Sequence, residues 1–481
     1  MTIRNLEPRS LWNHFADLNA IPRASKKEER VIQFMKEFGE GLNLETKIDH
    51  IGNVIIKKPG SPGMEERTTI VMQSHLDMVH QKNSDTEFDF DTQGIKMVIE
   101  DNWVKADGTT LGADNGIGVA TIMAVLASTD IAHPPIEALF TIDEETGMTG
   151  ALELKGGMLD GKIMLNLDTE DDREITIGCA GGVDVTAKGN YNTEEISFPH
   201  CSFKLIVKGL SGGHSGMDIH KGLGNANKLL NRILFSASQQ FGISLHEIDG
   251  GGLRNAIPRE AFAKVVVAED YEDAFKQYVH FETQILKKEY GTTDPGLEVV
   301  VESCDSPGTI LTKDFQSTLL RCIYACANGI YRMSPDIPEL VQTSNNLARV
   351  LVSGEGYTIQ CLTRSSVDSE KMDLAYGIQS TFELLGADVT FTGDYPGWTP
   401  RPDAKIVKLM SDLYREMFNE EPHVNACHAG LECGILGTNY PEMEMISFGP
   451  NIRGAHSPDE KVQVDSVQKY WGYLLETLKR I

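Results

Sequence analysis

The sequence lacks several features that would assign it to a specialised class of protein. No apolar run reaches the roughly 18 residues that a membrane-spanning helix requires. Residues 1–22 have neither the apolar core nor the small-residue cleavage site of an export signal, and they are typical of an amphipathic helix. The eight cysteines form no CxxC pair and follow no regular spacing. We therefore expect reduced thiols in a cytoplasmic protein.

Clusters of positive charge are also missing. Lys and Arg number 44 against 70 Asp and Glu, so the formal net charge is −26, and no basic run reverses the sign locally. Such a surface repels nucleic acids and acidic membranes, and we expect neither as a partner. With 481 residues, of which 41% are hydrophobic and 24% charged, the chain is typical of a globular enzyme with two or three packed units.

Four apolar runs predict buried strands that are followed by metal-binding residue types. Segments between them, residues 117–128 and 405–418, have helical patterns. This alternation predicts an α/β fold whose mixed, mostly parallel sheet has helices on both faces. Because ligands gather at the carboxyl ends of such strands, we expect these residues to converge. The runs are residues 68–74, 136–142, 162–167 and 443–448, and the residues that follow them include His75, Asp77, Glu144, Glu145, Asp168 and His456.

Asp114 is a further candidate and has two interpretations. A lone Asp at a helix start is usually an N-cap. The glycines at 112 and 116 would also let the backbone bend sharply, so that the Asp114 carboxylate could turn into the site instead.

Two histidines and four or five carboxylates in one cleft would repel strongly without cations. The set is too small for two closed zinc sites, but it fits an open pair of divalent ions that share one carboxylate. The absence of cysteine among the candidates favours a catalytic site over a structural one.

Five motifs in this order resemble those of the co-catalytic zinc exopeptidases that include carboxypeptidase G and aminoacylase. They are SHLDMV (74–79), GADNGIG (112–118), DEETG (143–147), NLD (166–168) and GAHSPDE (454–460). KGLGNANKLL, LRNAIPREAFA and HAGLECG resemble the peptidase D branch of that family, the aminoacyl-histidine dipeptidases, and this similarity covers nearly the whole chain.

The resemblance implies a role for each residue of the site. His75 and Asp168 would hold one zinc, Glu145 and His456 the other, and Asp114 would bridge them, with Co or Mn as substitutes. Asp77 would orient His75. Glu144 would be the general base for attack by a metal-bridging hydroxide.

A change of pattern near residue 184 and the Gly/Pro-rich stretch at 392–403 predict an inserted α+β lid domain. We therefore divide the chain into a catalytic domain of residues 1–183 and 397–481 and a lid of residues 184–396. In the family this insert mediates dimerisation, which implies a homodimer. The insert of this chain is long enough for two α+β sandwiches side by side.

Three lid residues have a chemical and a simpler interpretation. His214, in GGHSG, would commonly be a surface loop residue, but the resemblance implies that it stabilises the oxyanion. Asn255 and Arg364 would hold the backbone and terminal carboxylate of the substrate, which suits the planar donors of arginine. A surface salt bridge is the alternative for Arg364. His428 and Glu432, in HAGLECG, receive no role.

The sequence thus predicts a di-zinc dipeptidase whose substrates include Xaa-His dipeptides such as carnosine. An N-acyl amino-acid hydrolase with the same metal chemistry is the alternative enzyme. A non-catalytic zinc-binding protein is the alternative outside enzymes, but it has no need of Glu144 outside the coordination shell.

Overall fold

The computed structural model describes residues 2–354 and 356–481. This part of the chain contains twelve α-helices and 25 β-strands. The helices are α1 Arg9–Leu18, α2 Glu29–Gly41, α3 Ala113–Ala127, α4 Glu144–Gly147, α5 Thr149–Glu153, α6 Ala226–Phe241, α7 Glu272–Glu289, α8 Lys313–Ala325, α9 Asp368–Glu383, α10 Lys405–Phe418, α11 Glu432–Asn439 and α12 Val464–Arg480. Short 3-10 turns lie at Ile3–Asn5, Ile219–Lys221 and Glu269–Tyr271. The strands are β1 Glu45–Ile48, β2 Val54–Lys58, β3 Ile70–His75, β4 Met97–Glu100, β5 Trp103–Ala106, β6 Ile136–Thr141, β7 Ile163–Asn166, β8 Glu174–Cys179, β9 Gly181–Asn190, β10 Thr193–Glu195, β11 His200–Lys208, β12 Gly213–His214, β13 Ser244–Gly251, β14 Ala256–Ile257, β15 Ala261–Ala268, β16 Glu298–Ser303, β17 Thr309–Leu311, β18 Gly329–Met333, β19 Val341–Ser353, β20 Gly356–Ser365, β21 Asp388–Tyr395, β22 His423–Cys427, β23 Glu444–Ser447, β24 Ile452–Arg453 and β25 Lys461–Gln463.

The first of two compact units contains an eight-stranded sheet with the order β1-β2-β6-β3-β7-β23-β8-β22. This unit comprises the chain up to Gly178 together with Trp398–Ala426 and Leu431–Ile481. Its centre is parallel, because β3 pairs in parallel with β6 and β7, and β23 with β7. The pairs β1–β2, β2–β6 and β23–β8 are antiparallel. The predicted α/β class with a mixed sheet is confirmed.

The parallel centre forms because its strands are apolar enough to be buried. Every residue of β3 and β6 is buried, as expected for parallel strands. Helix α3 is buried throughout its length from residue 115 to 126 and packs against β3 and α1. Each large apolar side chain buried there contributes about 1.5–3 kcal/mol. A small sheet with the order β24-β25-β5-β4 completes the strands of this unit.

The second unit comprises Cys179–Gly397 and Cys427–Gly430 and contains a nine-stranded sheet. Its strands follow the order β16-β11-β15-β13-β19-β20-β9-β21, with β18 beside β19, and the described pairings are antiparallel. Helices α6 to α9 pack against these strands over one apolar core. Nine strands of this unit thus join one sheet, while β10 pairs with β17 and β12 pairs with β14 in separate two-stranded sheets.

The limits predicted for the lid, 184 and 396, stay a prediction about domains. No helix of the described residues combines the length and apolarity needed to cross a bilayer.

Candidate metal centre

Ligand-type side chains of the first unit follow neighbouring parallel strands. β3 ends at His75, β7 is followed by Asp168, and the short helix α4 after β6 carries Glu145. Since β6, β3 and β7 are adjacent and parallel, their carboxyl ends meet at one edge of the sheet. The strand pattern read from the sequence therefore brings these three residues together.

His75 is buried and lies against two carboxylates. Its Nε2 is 3.2 Å from Asp114 Oδ1 and 3.6 Å from Asp168 Oδ1. The other ring nitrogen, Nδ1, is 3.3 Å from Asp77 Oδ1. The Nε2 edge of the imidazole thus points to two ligand-type oxygens, and the Nδ1 edge contacts a third carboxylate.

His456 lies on the other side of Asp114. Its Nε2 is 2.9 Å from Glu145 Oε2 and 3.3 Å from Asp114 Oδ2. The two oxygens of Asp114 therefore face different histidines. Potential ligand atoms of His75, Asp114 and Glu145 lie within 4.8 Å of one another.

The N-cap interpretation of Asp114 is not what the structure contains. Gly112 is the cap residue of α3, with φ +70°, and Asp114 has φ −80° and ψ 111° inside the first turn. Its carboxylate faces the histidines. A left-handed φ favours glycine, so Gly112 supplies the bend that the sequence suggested.

Asp77 organises the loop that carries Glu144 and Glu145. Asp77 Oδ1 accepts a hydrogen bond from the Glu144 backbone N–H at 3.0 Å, and Oδ2 accepts one from the Glu145 N–H at 3.2 Å. Ser25 Oγ donates to Oδ2 at 2.8 Å. Although burial opposes it, the hydrogen bond and charge of His75 with these donors lower the pKa of Asp77 to about 2.

The carboxylates of the site oppose one another electrostatically. Burial, followed by neighbouring carboxylates, raises the pKa of Glu144 well above its ordinary value. Burial also raises the pKa of Glu145 and of Asp168. Hydrogen bonds to Asp114 and Glu145 raise the pKa of His456 to about 11. So many acids held together are stabilised by cationic groups.

The donor set fits a pair of divalent cations. It offers two imidazole nitrogens and several carboxylate oxygens, which are ligands that zinc accepts. Glu145 Oε1 is buried without a hydrogen bond among the described residues, and such an atom is a natural site for a cation. Candidate ligand groups are therefore present.

A second group of acids behind this site is different. Potential ligand atoms of Glu28, Asp77 and Asp143 also lie within 4.8 Å of one another. Asp143, however, accepts hydrogen bonds from the hydroxyls of Thr146 and Thr149. Glu28 accepts from the Asp143 N–H at 3.0 Å. Protein donors therefore occupy this group, which braces the loop.

Sequence reasoning missed two buried residues beside the site, Arg23 and Glu460. Both hydrogen-bond to the backbone between Leu111 and Asp114. Glu460 closes the HSPDE motif, which was the available signal, whereas no pattern around Arg23 indicates its position.

Glu432, which received no role, is buried in the first unit. Its Oε2 accepts hydrogen bonds from Gln73 Nε2 at 2.6 Å and Thr141 Oγ1 at 2.7 Å. Burial raises its pKa to about 7, although the charge of His75 opposes the shift. It therefore connects β3 and β6 near their carboxyl ends.

His214, in the second unit, has a defined ring orientation. Its Nδ1 accepts hydrogen bonds from the backbone N–H groups of Gly216 at 3.2 Å and Met217 at 3.0 Å. The proton of the neutral ring is consequently on Nε2. Burial, then the charge of Arg364, lowers the His214 pKa. The neutral donor form is therefore favoured.

Arg364 is buried in the second unit, not exposed on a surface. It is 5% exposed, donates from Nη1 to the Tyr395 hydroxyl at 2.8 Å, and leaves Nε without a partner among the described residues. His428 also lies in this unit and bonds to Ser344 Oγ at 2.7 Å. Burial, then Arg364, lowers the His428 pKa to about 3. The salt-bridge alternative for Arg364 is therefore wrong.

Asn255 lies next to the His214 loop in the same unit. Its side chain is exposed, and its backbone carbonyl accepts a hydrogen bond from the Ser215 N–H at 2.7 Å. His214 pairs with Ala256 between β12 and β14. The two loops are thus joined, and the Asn255 amide is available for contacts.

Comparison with known proteins decides the family. Residues 71–480 match the family described as Peptidase family M20/M25/M40. The chain belongs to this family. It is therefore a peptidase, a hydrolase that acts on peptide bonds, as the motifs indicated.

Two M20 relatives match over the full length. The cytosol non-specific dipeptidase of Escherichia coli (strain K12) is 42% identical over 479 residues, 100% of this chain and 99% of that protein. The crystal structure of aminoacylhistidine dipeptidase from Vibrio alginolyticus is 42% identical, with a TM-score of 0.95 and coverage of 100% and 98%. At 15% identity, aminopeptidase PepT from Bacillus cereus covers 98% of both chains with a TM-score of 0.57 and shares the fold alone.

Proposed function

We propose that this M20 peptidase is a di-zinc dipeptidase whose substrates include Xaa-His dipeptides such as carnosine. The observation that carries the proposal is the position of Asp114. Its Oδ1 is 3.2 Å from His75 Nε2, and its Oδ2 is 3.3 Å from His456 Nε2. One carboxylate between two ligand sets is what a metal pair requires. The names of both full-length relatives support the substrate class.

His75 and Asp168 would hold one ion, Glu145 and His456 the other, and Asp114 both. The nitrogen and oxygen donors suit zinc and also accept cobalt or manganese. Bound there, the ions would polarise the scissile carbonyl and lower the pKa of a water molecule.

Glu144 would act as the general base. It takes a proton from the attacking water and passes it to the leaving amine nitrogen as the C–N bond breaks. Asp77 accepts the Glu144 N–H at 3.0 Å and lies 3.3 Å from His75 Nδ1. It therefore holds both the base and a ligand.

The second unit would recognise the substrate. His214 donates from Nε2–H to the developing oxyanion, because its Nδ1 is occupied as an acceptor. Arg364 grips the terminal carboxylate through its fork of N–H donors, and Asn255 holds the peptide backbone. A substrate without a free carboxylate would lose the Arg364 contact.

We further infer that the protein is cytoplasmic and forms a homodimer. Sedimentation velocity tests the oligomeric state. Mixing His214→Ala and Glu144→Gln subunits shows whether His214 acts on its own site or on its partner's. In the second case, about a quarter of all sites regain activity, since half of the dimers are mixed and each holds one complete site. Action within one subunit leaves the mixture inactive.

The function is tested by hydrolysis of Ala-His, carnosine, Ala-Ala-His and N-acetyl-His with zinc-loaded and chelator-treated protein. Cleavage of the unblocked dipeptides alone, abolished by the chelator, is expected. Cleavage of N-acetyl-His instead would reassign the protein as an N-acyl amino-acid hydrolase. If no substrate is hydrolysed in a chelator-sensitive way, the protein would be reassigned as a non-catalytic zinc-binding protein.

A further inference from the structure

The segment Leu111–Asp114 is gripped from two sides by buried charged residues. The carboxylate of Glu460 accepts four successive backbone N–H groups of this segment. Its Oε2 accepts from Leu111 at 2.7 Å and Gly112 at 2.9 Å, and its Oε1 accepts from Ala113 at 2.7 Å and Asp114 at 3.2 Å. Hydrogen bonds to an ionised carboxylate are stronger than neutral ones.

Arg23 binds a backbone carbonyl of the same segment. Its Nη2 donates to the Gly112 carbonyl at 2.6 Å, and its Nη1 donates to the carbonyls of Leu76 and Asp77, each at 3.0 Å. The guanidinium therefore joins the loop of Asp114 to the loop that follows His75. The two arms of its planar fork reach the two loops at once.

The space around the guanidinium depends on glycine. A Cβ atom at Gly112 would lie 2.4 Å from Arg23 Nη2, and one at Gly116 would lie 2.6 Å from it. These two glycines of the GADNGIG motif therefore make room for Arg23. Arg23 and Glu460 are 1% and 2% exposed. Buried charges are costly unless partners satisfy them, and the backbone groups of Leu111–Asp114 supply such partners to both residues.

We propose that Arg23 and Glu460 are positioning residues that fix Asp114 between His75 and His456. This inference rests on the proposed metal site. Glu460 follows His456 in the HSPDE motif, and so it ties the His456 loop to the Asp114 loop. Arg23 ties the His75 loop to the same segment. Three ligand-bearing loops are thus connected through two side chains.

The consequence is that either substitution weakens both metal positions together. Asp114 faces His75 with one oxygen and His456 with the other. A displaced Leu111–Asp114 segment therefore changes both ligand sets. A residue with a purely structural role would lower thermal stability without altering the metal site.

The test is titration of the metal-free full chain with zinc by calorimetry and with cobalt by absorption spectroscopy. Glu460→Gln places an amide where the carboxylate accepts N–H groups, and Arg23→Lys keeps the charge but removes the fork. We expect both variants to bind both ions about 10- to 100-fold more weakly. We also expect shifted cobalt absorption bands.

Glu137→Gln is the matched control in the same unit. Glu137 is also 2% exposed, and it accepts N–H groups of Asp160 at 2.8 Å and Gly161 at 2.9 Å. It lies near the amino end of β6, whereas the ligands follow the carboxyl end. This variant should melt earlier but keep the affinity and cobalt spectrum of the parent chain.

The proposal is overturned if Glu460→Gln and Arg23→Lys keep the metal affinity and cobalt spectrum of the parent chain. It is also overturned if they lose no more metal affinity than Glu137→Gln does. If Glu460→Gln does not fold, Arg23→Lys decides by the same criteria. Absence of two bound ions in the parent chain would instead refute the proposed function. A parent that binds two ions and hydrolyses dipeptides, beside unaffected variants, refutes the positioning role alone.

Discussion

Replacing Glu144 by glutamine should separate the role of the proposed base from that of the proposed metal ligands. The change keeps the side-chain length, and the Glu144 backbone N–H that Asp77 accepts at 3.0 Å is retained. The pairs of His75 with Asp114 and of His456 with Glu145 involve other atoms. The proposed ligand set therefore stays intact while the proposed proton acceptor is lost.

The expected loss follows from that difference. A positioned general base contributes about 10²- to 10⁴-fold in rate, which is about 2.7–5.4 kcal/mol of transition-state stabilisation. We expect kcat for Ala-His to fall by this factor, with KM changed by less than about threefold, because ground-state contacts remain.

The assay combines steady-state hydrolysis with metal analysis of the dialysed protein. Glu153→Gln is the control, since Glu153 is an exposed residue of α5 whose carboxylate is 3.7 Å from His50. It should leave turnover and metal content unchanged. A fall of metal content in parallel with activity in Glu144→Gln would refute the assignment of Glu144 as the base.

Three further predictions concern the second unit. Arg364→Lys should raise KM for dipeptides by about 10- to 100-fold, since a bidentate grip is lost, but should leave KM for dipeptide amides unchanged in the same assay. His428 has a pKa lowered to about 3, below its unfolded value of 6.5, so the folded state loses stability as pH falls below 6.5. In urea titrations, the parent should lose about 2 kcal/mol more than His428→Gln between pH 7 and pH 5, and equal losses would contradict the shift. Gly216→Ala should destabilise by about 1–3 kcal/mol, because its Cβ would meet the His428 carbonyl oxygen at 2.1 Å. Gly252→Ala, with open space around it, should melt like the parent.

The strand and helix positions near the site could be predicted because hydropathy encodes them. Helix α10 has the predicted limits, and β3, β6, β7 and β23 coincide with the four apolar runs to within a residue or two. β3 and β6 are buried at every residue. Parallel strands that are buried on both faces are rich in apolar residues, so such strands can be recognised in the sequence as apolar runs.

Strand β19 shows where hydropathy fails. Hydropathy predicts a strand over residues 349–352 only, whereas the strand spans Val341–Ser353. Its first half carries Thr343, Ser344, Asn345 and Asn346, all of them buried. These side chains are satisfied by hydrogen bonds, such as that of Asn346 Nδ2 to the Ala256 carbonyl at 2.8 Å. Polar residues in a buried strand carry no apolar periodicity.

The candidate site was predictable as a set of residues but not as an arrangement. Motif order gave His75, Asp114 and His456, and the alternatives for Asp114 could be separated only by its backbone angles. Arg23 was missed because its partners are backbone carbonyls, and backbone atoms leave no trace in residue identity. Glu460 was missed as a contact for the same reason.

The position of β23 governs when the site can come into being. β23 inserts beside β7, next to strands that were made far earlier in the chain, and His456 follows it. A nascent chain that has completed β3, β6 and β7 therefore holds His75, Glu145 and Asp168 but lacks His456. If the proposed ligand set holds the metal pair, that set is therefore complete only after His456 has been made.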